Sequence, residues 1–159
     1  MESPKQNAFP GAVNEGPAGF WDFHRVLFEA APYGIVIQDG AGAILNANPA
    51  AERCLGLSLD QLQGRTSIDP RWKAVREDGS PFPGEFHPAM QSLRTGQPTE
   101  GVVMGVFNPR LEQTNWIEIS AVPMSRPGES RPFQVFTMFA DITRRKRAEE
   151  KLQELSVHS

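Results

Sequence analysis

The sequence predicts an α+β domain: a β-hairpin, a cluster of short helices, three further strands, and a flanking helix at each end. Three observations predict it. The turn residues Asp39-Gly40-Ala41-Gly42 separate two short β-type runs. Helix caps and breakers recur at short intervals between Asn48 and Gly96. From Gly101 onward, alternating or wholly apolar runs take over, until a polar stretch without Pro or Gly closes the chain.

Residues 1–19 are rich in Pro, Gly, Ala and Asn, show no apolar period, and are expected to form a disordered leader. A flanking helix over 20–31 follows. Phe20, Phe23, Leu27 and Ala30 recur at helical spacing, Trp21 and Phe28 mark a second apolar stripe, and Pro32 ends the run. One small domain cannot hide both stripes. Either one face packs on the core and the other on a partner chain, or this is a core helix with some exposed aromatics.

Tyr33 to Asp39 reads as the first hairpin strand, with Ile35 and Ile37 on one face and Val36 and Gln38 on the other, and Ala43 to Ala47 as the second. Asn48-Pro49 is an N-cap with proline at the first helical position, opening a short helix that carries Cys54 and stops at Gly56. Ser58 and Gln61 form a capping box for another short helix ending at Gly64. Residues 65–86 are irregular, with Trp72 and Val75 as anchors. His87-Pro88 starts a helix with an apolar side of Ala89, Met90 and Leu93, and Thr95-Gly96 ends it.

Strands are expected over Gly101–Phe107, Asn115–Val122 and Phe133–Ala140. The middle one alternates, Ile117, Ile119 and Ala121 against Trp116, Glu118 and Ser120. The last is apolar on both faces, which predicts a central strand covered on each side, by the short helices and by the Phe20–Ala30 helix or a partner chain. From Arg144 to Leu155 helix formers run without a break. Ala148, Leu152 and Leu155 fall at coiled-coil spacing for about one heptad, too little to dimerise unaided.

Four segments, in this order, resemble the PAS family. Ala31-Pro32-Tyr33-Gly34-Ile35-Val36-Ile37-Gln38-Asp39-Gly40 is similar to its first strand and turn, and Ile44-Leu45-Asn46-Ala47-Asn48-Pro49-Ala50-Ala51 to its second strand and asparagine-capped helix. Leu93-Arg94-Thr95-Gly96-Gln97-Pro98 resembles the end of its long helix. Asp141-Ile142-Thr143 with Arg145–Leu152 resembles its closing tripeptide and exit helix. Arg76 to Pro83 is further similar to a subset found in bacterial sensor kinases and diguanylate cyclases. The resemblance covers roughly residues 24–155, with the domain proper at 32–143 and a signalling helix at 144–159.

That resemblance implies a five-stranded antiparallel sheet with helices on one face, enclosing a small cavity. It also implies a sensory module that binds a small ligand or partner, forms a homodimer and signals through the exit helix to an effector such as a histidine kinase or diguanylate cyclase. No effector motif follows Leu155, so the chain is expected to be a fragment of a larger sensor or a module acting on a partner. The alternative is a ligand-free dimerisation and interaction module.

Bulk properties narrow the classes. The 159 residues fit one domain of about 100–150 residues plus flanking segments. A net charge of -3 gives no overall pull toward nucleic acid or an anionic membrane, and the basic run Arg144-Arg145-Lys146-Arg147 meets Glu149 and Glu150 at once, as in a solvated helix face. No apolar run approaches the roughly 20 residues that span a bilayer. One cysteine and no secretory signal point to the cytoplasm. Asp39, Glu52, Asp69, Asp78 and Glu85 are not placed with a histidine or cysteine as an acid–base pair, so no catalytic residue is assigned and the chain is not expected to be an enzyme. No close His/Cys/Asp grouping supports a metal.

Site residues follow from the expected faces. The cavity should be lined by Ile35, Ile37, Ile119 and Met138 from the sheet and by Trp72 and Met90 from the helical side. Asn46, expected to point with Ile44, is the polar candidate. The same side chains would fill an ordinary core. No motif supports a cofactor. A haem would need a ligand such as His87, better placed than His24 or His158 but at a cap position outside the helix wall. A photoactive flavin would need a reactive cysteine, and Cys54 lies on the wrong helix without the flanking residues. Asp141, Ile142 and Thr143 are the candidate relay, and Phe20, Phe23, Leu27, Phe28, Leu152 and Leu155 the candidate dimer contacts.

Overall fold

A computed structural model of the chain describes residues 18–157, with side chains from Asp22 to Ser156. Residues 1–17 of the leader expected over 1–19, the side chains of Phe20 and Trp21, and His158 lie outside the described residues, while Ala18 and Gly19 belong to the first helix rather than the leader. Helix α1 spans Ala18–Ala30, and the hairpin is β1 (Gly34–Asp39) with β2 (Ile44–Ala47). Short helices α2 (Pro49–Leu55) and α3 (Leu59–Leu62) follow, then two 3-10 turns, Pro70–Trp72 and Gly84–Phe86, and helix α4 (Pro88–Thr95). Strands β3 (Thr99–Asn108), β4 (Gln113–Met124) and β5 (Gln134–Asp141) lead into helix α5 (Thr143–Val157).

The five strands form one antiparallel sheet in the order β2-β1-β5-β4-β3. Strand β5, apolar on both faces, is the middle strand, as its composition predicts. The inner face carries Val36, Met104, Val106, Ile117, Ile119 and Phe139, packed against Ala51, Cys54 and Leu55 of α2 and against Leu62, Trp72 and Phe82. A second cluster joins Ala89 and Leu93 of α4 to Ala121 and Val135.

The local caps form as the sequence predicts. Ser58 and Gln61 make both bonds of a capping box, and Gly56 and Gly96 close α2 and α4 in the left-handed conformation. A Cβ at Gly56 would collide with Asn108 Oδ1, because Asn108 binds the end of α2. Asn108 Nδ2 and Asn115 Nδ2 both donate to Cys54 O, at 3.0 and 2.9 Å.

Asn48 ties together four parts of the chain. Its Oδ1 accepts from Ala51 N at 3.0 Å, which caps α2, and from Ile35 N at 2.8 Å in β1. Its Nδ2 donates to Phe28 O at 2.9 Å at the end of α1 and to Tyr33 O at 3.1 Å in the connecting turn. The side chain is completely buried with its hydrogen-bonding capacity used, the condition under which a buried amide stabilises rather than costs.

Two expected faces are reversed. Strand β1 turns Val36 and Gln38 inward, and Ile35 and Ile37 lie on the outer face, paired with Met138 and Phe136 of β5. Alternation in β1 separates two apolar-rich faces without saying which meets the helices, and a buried glutamine on the inner one hid the answer. Asn46 does not point with Ile44. Ile37 pairs with Asn46 but Gln38 pairs with Ile44, so a bulge at Leu45 separates them and puts Asn46 on the outer side.

Replacing Asn48 with Ala leaves two buried backbone N–H groups and two carbonyls to find new partners. The expected loss is about 2–4 kcal/mol, read from chemical denaturation at unchanged slope. Asn48→Asp keeps both accepted bonds but faces a carboxylate toward two carbonyls, and is expected to be destabilised as well. Losses below about 1 kcal/mol in both variants would contradict this account of the fold.

Candidate functional site

Between the inner face of the sheet and the helical layer lies a cavity of about 70 Å³. Most of its wall is aliphatic or aromatic. Ile117 and Ile119 come from β4, Met104 and Val106 from β3, and Phe139 from β5. Trp72 closes the helical side, held by its indole N–H to Thr66 O at 2.8 Å, with the Arg65 guanidinium 4.7 Å from the ring centre.

Five polar residues interrupt this wall: Thr66 and Ser67 from the segment before Trp72, and Gln38, His87 and Thr137. Gln38 is 5% exposed and donates through Nε2 to Gly42 O at 2.8 Å, inside its own hairpin. His87, also 5% exposed, lies 2.8 Å through Nε2 from Phe82 O and meets the Phe82 ring edge-on at 5.0 Å. A carbonyl oxygen only accepts, so Nε2 carries the proton and Nδ1 presents a lone pair. Burial pushes the His87 pKa below its ordinary value, opposed by the bond to Phe82 and assisted by nearby Arg76, so the ring is neutral at pH 7. Thr137 Oγ1 donates to Val36 O over 3.4 Å.

Of the residues expected in the cavity wall, Trp72 and Ile119 are there, and His87 joins them. Ile35, Ile37 and Met138 are not, because they lie on the outer face of the sheet. Asn46 is removed by the bulge, and Met90 is half-buried with its sulfur beside Gly42 of the hairpin turn. Gln38, Thr137 and Phe139 were missed. Gln38 had a usable signal: a lone polar residue in an apolar strand that must be buried on one side or the other.

The site does not fit the considered cofactors. A volume of about 70 Å³ leaves no room for a porphyrin or an isoalloxazine, and drug-sized ligands already take roughly 300–1,000 Å³. His87 sits at the N-cap position of α4 without capping it, its Nε2 being turned to Phe82. Cys54 lies outside the cavity wall. Burial, then the charge and hydrogen bond of Asp141, push its thiol up to about 12, where it is unreactive.

The exit from the sheet is a compact knot. Ile142 N donates to Trp116 O at 2.8 Å, and Trp116 N donates to Thr143 Oγ1 at 2.9 Å. Asp141 Oδ1 accepts from both the backbone and the hydroxyl of Thr143. Beyond it, α5 is held by side chains. Lys146 Nζ lies 3.0 Å from Glu77 and 5.2 Å from the Trp116 ring centre, and Arg145 lies 3.9 Å from Glu118. Glu77 belongs to the turn of a small hairpin, in which Val75 bridges both Pro81 and Gly105.

Among the candidate dimer contacts, Phe23, Leu27, Leu152 and Leu155 are each more than half exposed, and Val26 joins them on α1. Phe28 is half-buried. Among the described residues no helix is long and apolar enough to cross a membrane, and no three His, Cys, Asp or Glu side chains group as a metal site would.

A histidine held neutral by burial makes the folded state refuse a proton that the unfolded chain accepts. Stability should therefore fall as the pH drops from about 7 to about 5.5, below the ordinary histidine pKa. In His87→Gln this part of the slope disappears, while contributions from the other histidines stay. Identical pH profiles of denaturation midpoint for the two proteins would show that His87 is not held neutral.

A family model of the PAS fold matches residues 22–142. Similar solved structures include the PAS domain of a protein from Colwellia psychrerythraea, 18% identical over 79% of this chain and 98% of that one, with a TM-score of 0.60. A domain of a sensory box sensor histidine kinase/response regulator from Geobacter sulfurreducens is 22% identical over 76% of this chain and 92% of that one, with a TM-score of 0.56. An RNA-binding light-oxygen-voltage receptor is 21% identical over 94% of this chain with a TM-score of 0.63, but this chain spans only 41% of it. Likenesses at these identities show the fold, and with the family match over most of the length they lead to one conclusion: the chain belongs to the PAS family.

Proposed function

We propose that this sensory PAS domain is the input module of a cytoplasmic signalling protein. It takes a small molecule into the cavity and passes the change through α5 to an effector such as a histidine kinase or diguanylate cyclase. One observation carries the reading. Strand β4 lines the cavity with Ile117 and Ile119, and its neighbouring Trp116 bonds on both backbone atoms to Ile142 and Thr143 at the start of α5. A shift of this strand toward or away from a ligand moves the anchor of the helix. The sensor histidine kinase/response regulator among the similar structures supports the choice of effector class.

The 75–82 hairpin gives a second mechanical link between the same two places. Phe82 O holds His87 in the cavity wall, and Glu77 at the other end of the hairpin pairs with Lys146 of α5. Asp141, Ile142 and Thr143 are the relay in this reading. Asp141→Ala removes the acceptor of Thr143 N and Oγ1, which should loosen the first turn of α5 by about 1 kcal/mol and speed its amide hydrogen exchange roughly fivefold. Exchange in β4 and β5 should stay as it is, and the intact signalling protein should lose its response to input. Wild-type exchange in α5 together with wild-type signalling would remove Asp141 from the relay.

The exposed stripe of Phe23, Val26 and Leu27 supports a homodimer through α1, with Leu152 and Leu155 of α5 extending the contact. It also favours a second reading, in which the domain dimerises without a ligand. Phe23→Asp should convert a dimer to monomers in sedimentation velocity without lowering the melting temperature of the domain. A variant that stays dimeric would move the interface elsewhere.

A further inference from the structure

The cavity wall is weighted toward hydrogen-bond acceptors. Gln38 donates one of its two amide N–H groups to Gly42 O, and no hydrogen bond from a described residue reaches its Oε1. His87 has spent its N–H on Phe82 O, and Nδ1 likewise receives none. Thr137 has turned its proton to Val36 O. Gln38 and His87 are both more than nine-tenths buried and both line the cavity. Neither Oε1 nor Nδ1 is sealed off as a buried atom without a partner, so each retains accessible surface in a residue that has almost none outside. The cavity thus presents lone pairs at Gln38 Oε1 and His87 Nδ1, while its donors are limited to the second Gln38 N–H and the hydroxyls of Thr66 and Ser67, which serve either role.

Charge points the same way. No lysine or arginine lines the cavity. The nearby Arg65 guanidinium lies over Trp72, with Asp69 3.7 Å from its Nε. A carboxylate entering the cavity would give up its hydration, meet lone pairs and find no countercharge. A neutral group with N–H or O–H donors would give up its hydration and regain hydrogen bonds to Gln38 and His87. Size sets the rest. The volume is about half of the roughly 150 Å³ that encloses benzene in an apolar protein cavity, which limits an enclosed ligand to about three to five non-hydrogen atoms.

We infer that the cavity selects small neutral hydrogen-bond donors, of the class of short primary amides and alcohols, and rejects carboxylates and donor-free isosteres of the same size. Gln38 Oε1 and His87 Nδ1 are the recognising atoms. This rests on the reading of the cavity as a ligand site and names its ligand class.

Acetamide, acetone and acetate share one shape and four non-hydrogen atoms, and differ in donor and charge; xenon reports only whether the cavity can be filled. The measurement is methyl NMR of the full chain, following Ile44, Ile117 and Ile119 in the wall, with each probe titrated at pH 7. Acetamide should shift these methyls saturably, with acetone and acetate weaker by roughly tenfold or more. Gln38→Met should abolish the acetamide shifts and keep those of xenon, which also shows that the variant is folded. Xenon shifts with equal or tighter binding of acetone or acetate, or with no saturable acetamide response in the wild type, would overturn the donor-ligand inference while leaving a fillable cavity. Acetamide binding unchanged in Gln38→Met would also overturn the recognition assigned to Gln38. An absence of xenon shifts in the wild type would instead overturn the ligand-site reading on which the inference rests.

Discussion

The buried amide of Asn48 is the constraint on which the rest of the architecture depends. A single side chain makes four hydrogen bonds to the end of α1, the following turn, β1 and the start of α2. It fixes where the first strand begins and where the helical layer leaves the sheet. The inner face that β1 offers, and hence whether Gln38 enters the cavity, follows from that starting point because strand faces alternate strictly. At the other end of α2, Asn108 and Asn115 hold Cys54 O, so the helix covering the core is anchored at both termini by buried amides. Buried polar groups with every bond made specify one arrangement more sharply than apolar contacts, which slide.

Against that background the polar atoms of the cavity stand out. Asn48, Asn108 and Asn115 each bond through both ends of the amide, whereas Gln38 and His87, which line the cavity, each bond through one nitrogen only. Leaving acceptors unpaired inside a protein costs free energy, and local conflicts of this kind concentrate where a protein does something other than fold. The contrast with Asn48, whose amide makes four bonds, favours the proposed reading of the cavity as a ligand site.

How much of this was legible in the sequence depended on range. Caps and turns were readable because their determinants lie within a few residues: Asn48 before Pro49, the Ser58–Gln61 box, and Gly56 and Gly96 in the left-handed conformation. The central place of β5 was readable from its apolar character on both sides. The face of β1 was not, since two isoleucines outweighed valine and glutamine in an argument that only pairing with β5 could decide. The bulge at Leu45 has no turn residue to announce it, yet it moved Asn46 to the opposite side of the sheet. Misplacing Ile35, Ile37 and Met138 came from the same missing information. Trp72 and Ile119 were placed in the wall because a large aromatic in an irregular segment and a cleanly alternating strand leave little choice of direction.

The way α5 is attached matches what a small ligand can do. Its first residues are locked by buried or half-buried hydrogen bonds to Trp116 and Asp141, but the contacts beyond that point are Lys146 with Glu77 and the Trp116 ring, and Arg145 with Glu118. Glu77, Arg145 and Glu118 are solvent-exposed and only Lys146 is largely buried, and pairs open to solvent on at least one side contribute about 0–1 kcal/mol each. A ligand of a few atoms has little binding free energy to divide between two states, and it shifts an equilibrium only by its difference in affinity for them. An exit helix clamped by several buried contacts would not respond to so small a difference. A helix fixed at its root and lightly held along its length would, because displacing it costs about as much as such a ligand can supply. In the proposed reading the strength of the knot and the weakness of the ion pairs beyond it are complementary: the first would transmit movement of β4, and the second would let that movement become a change in direction of the helix.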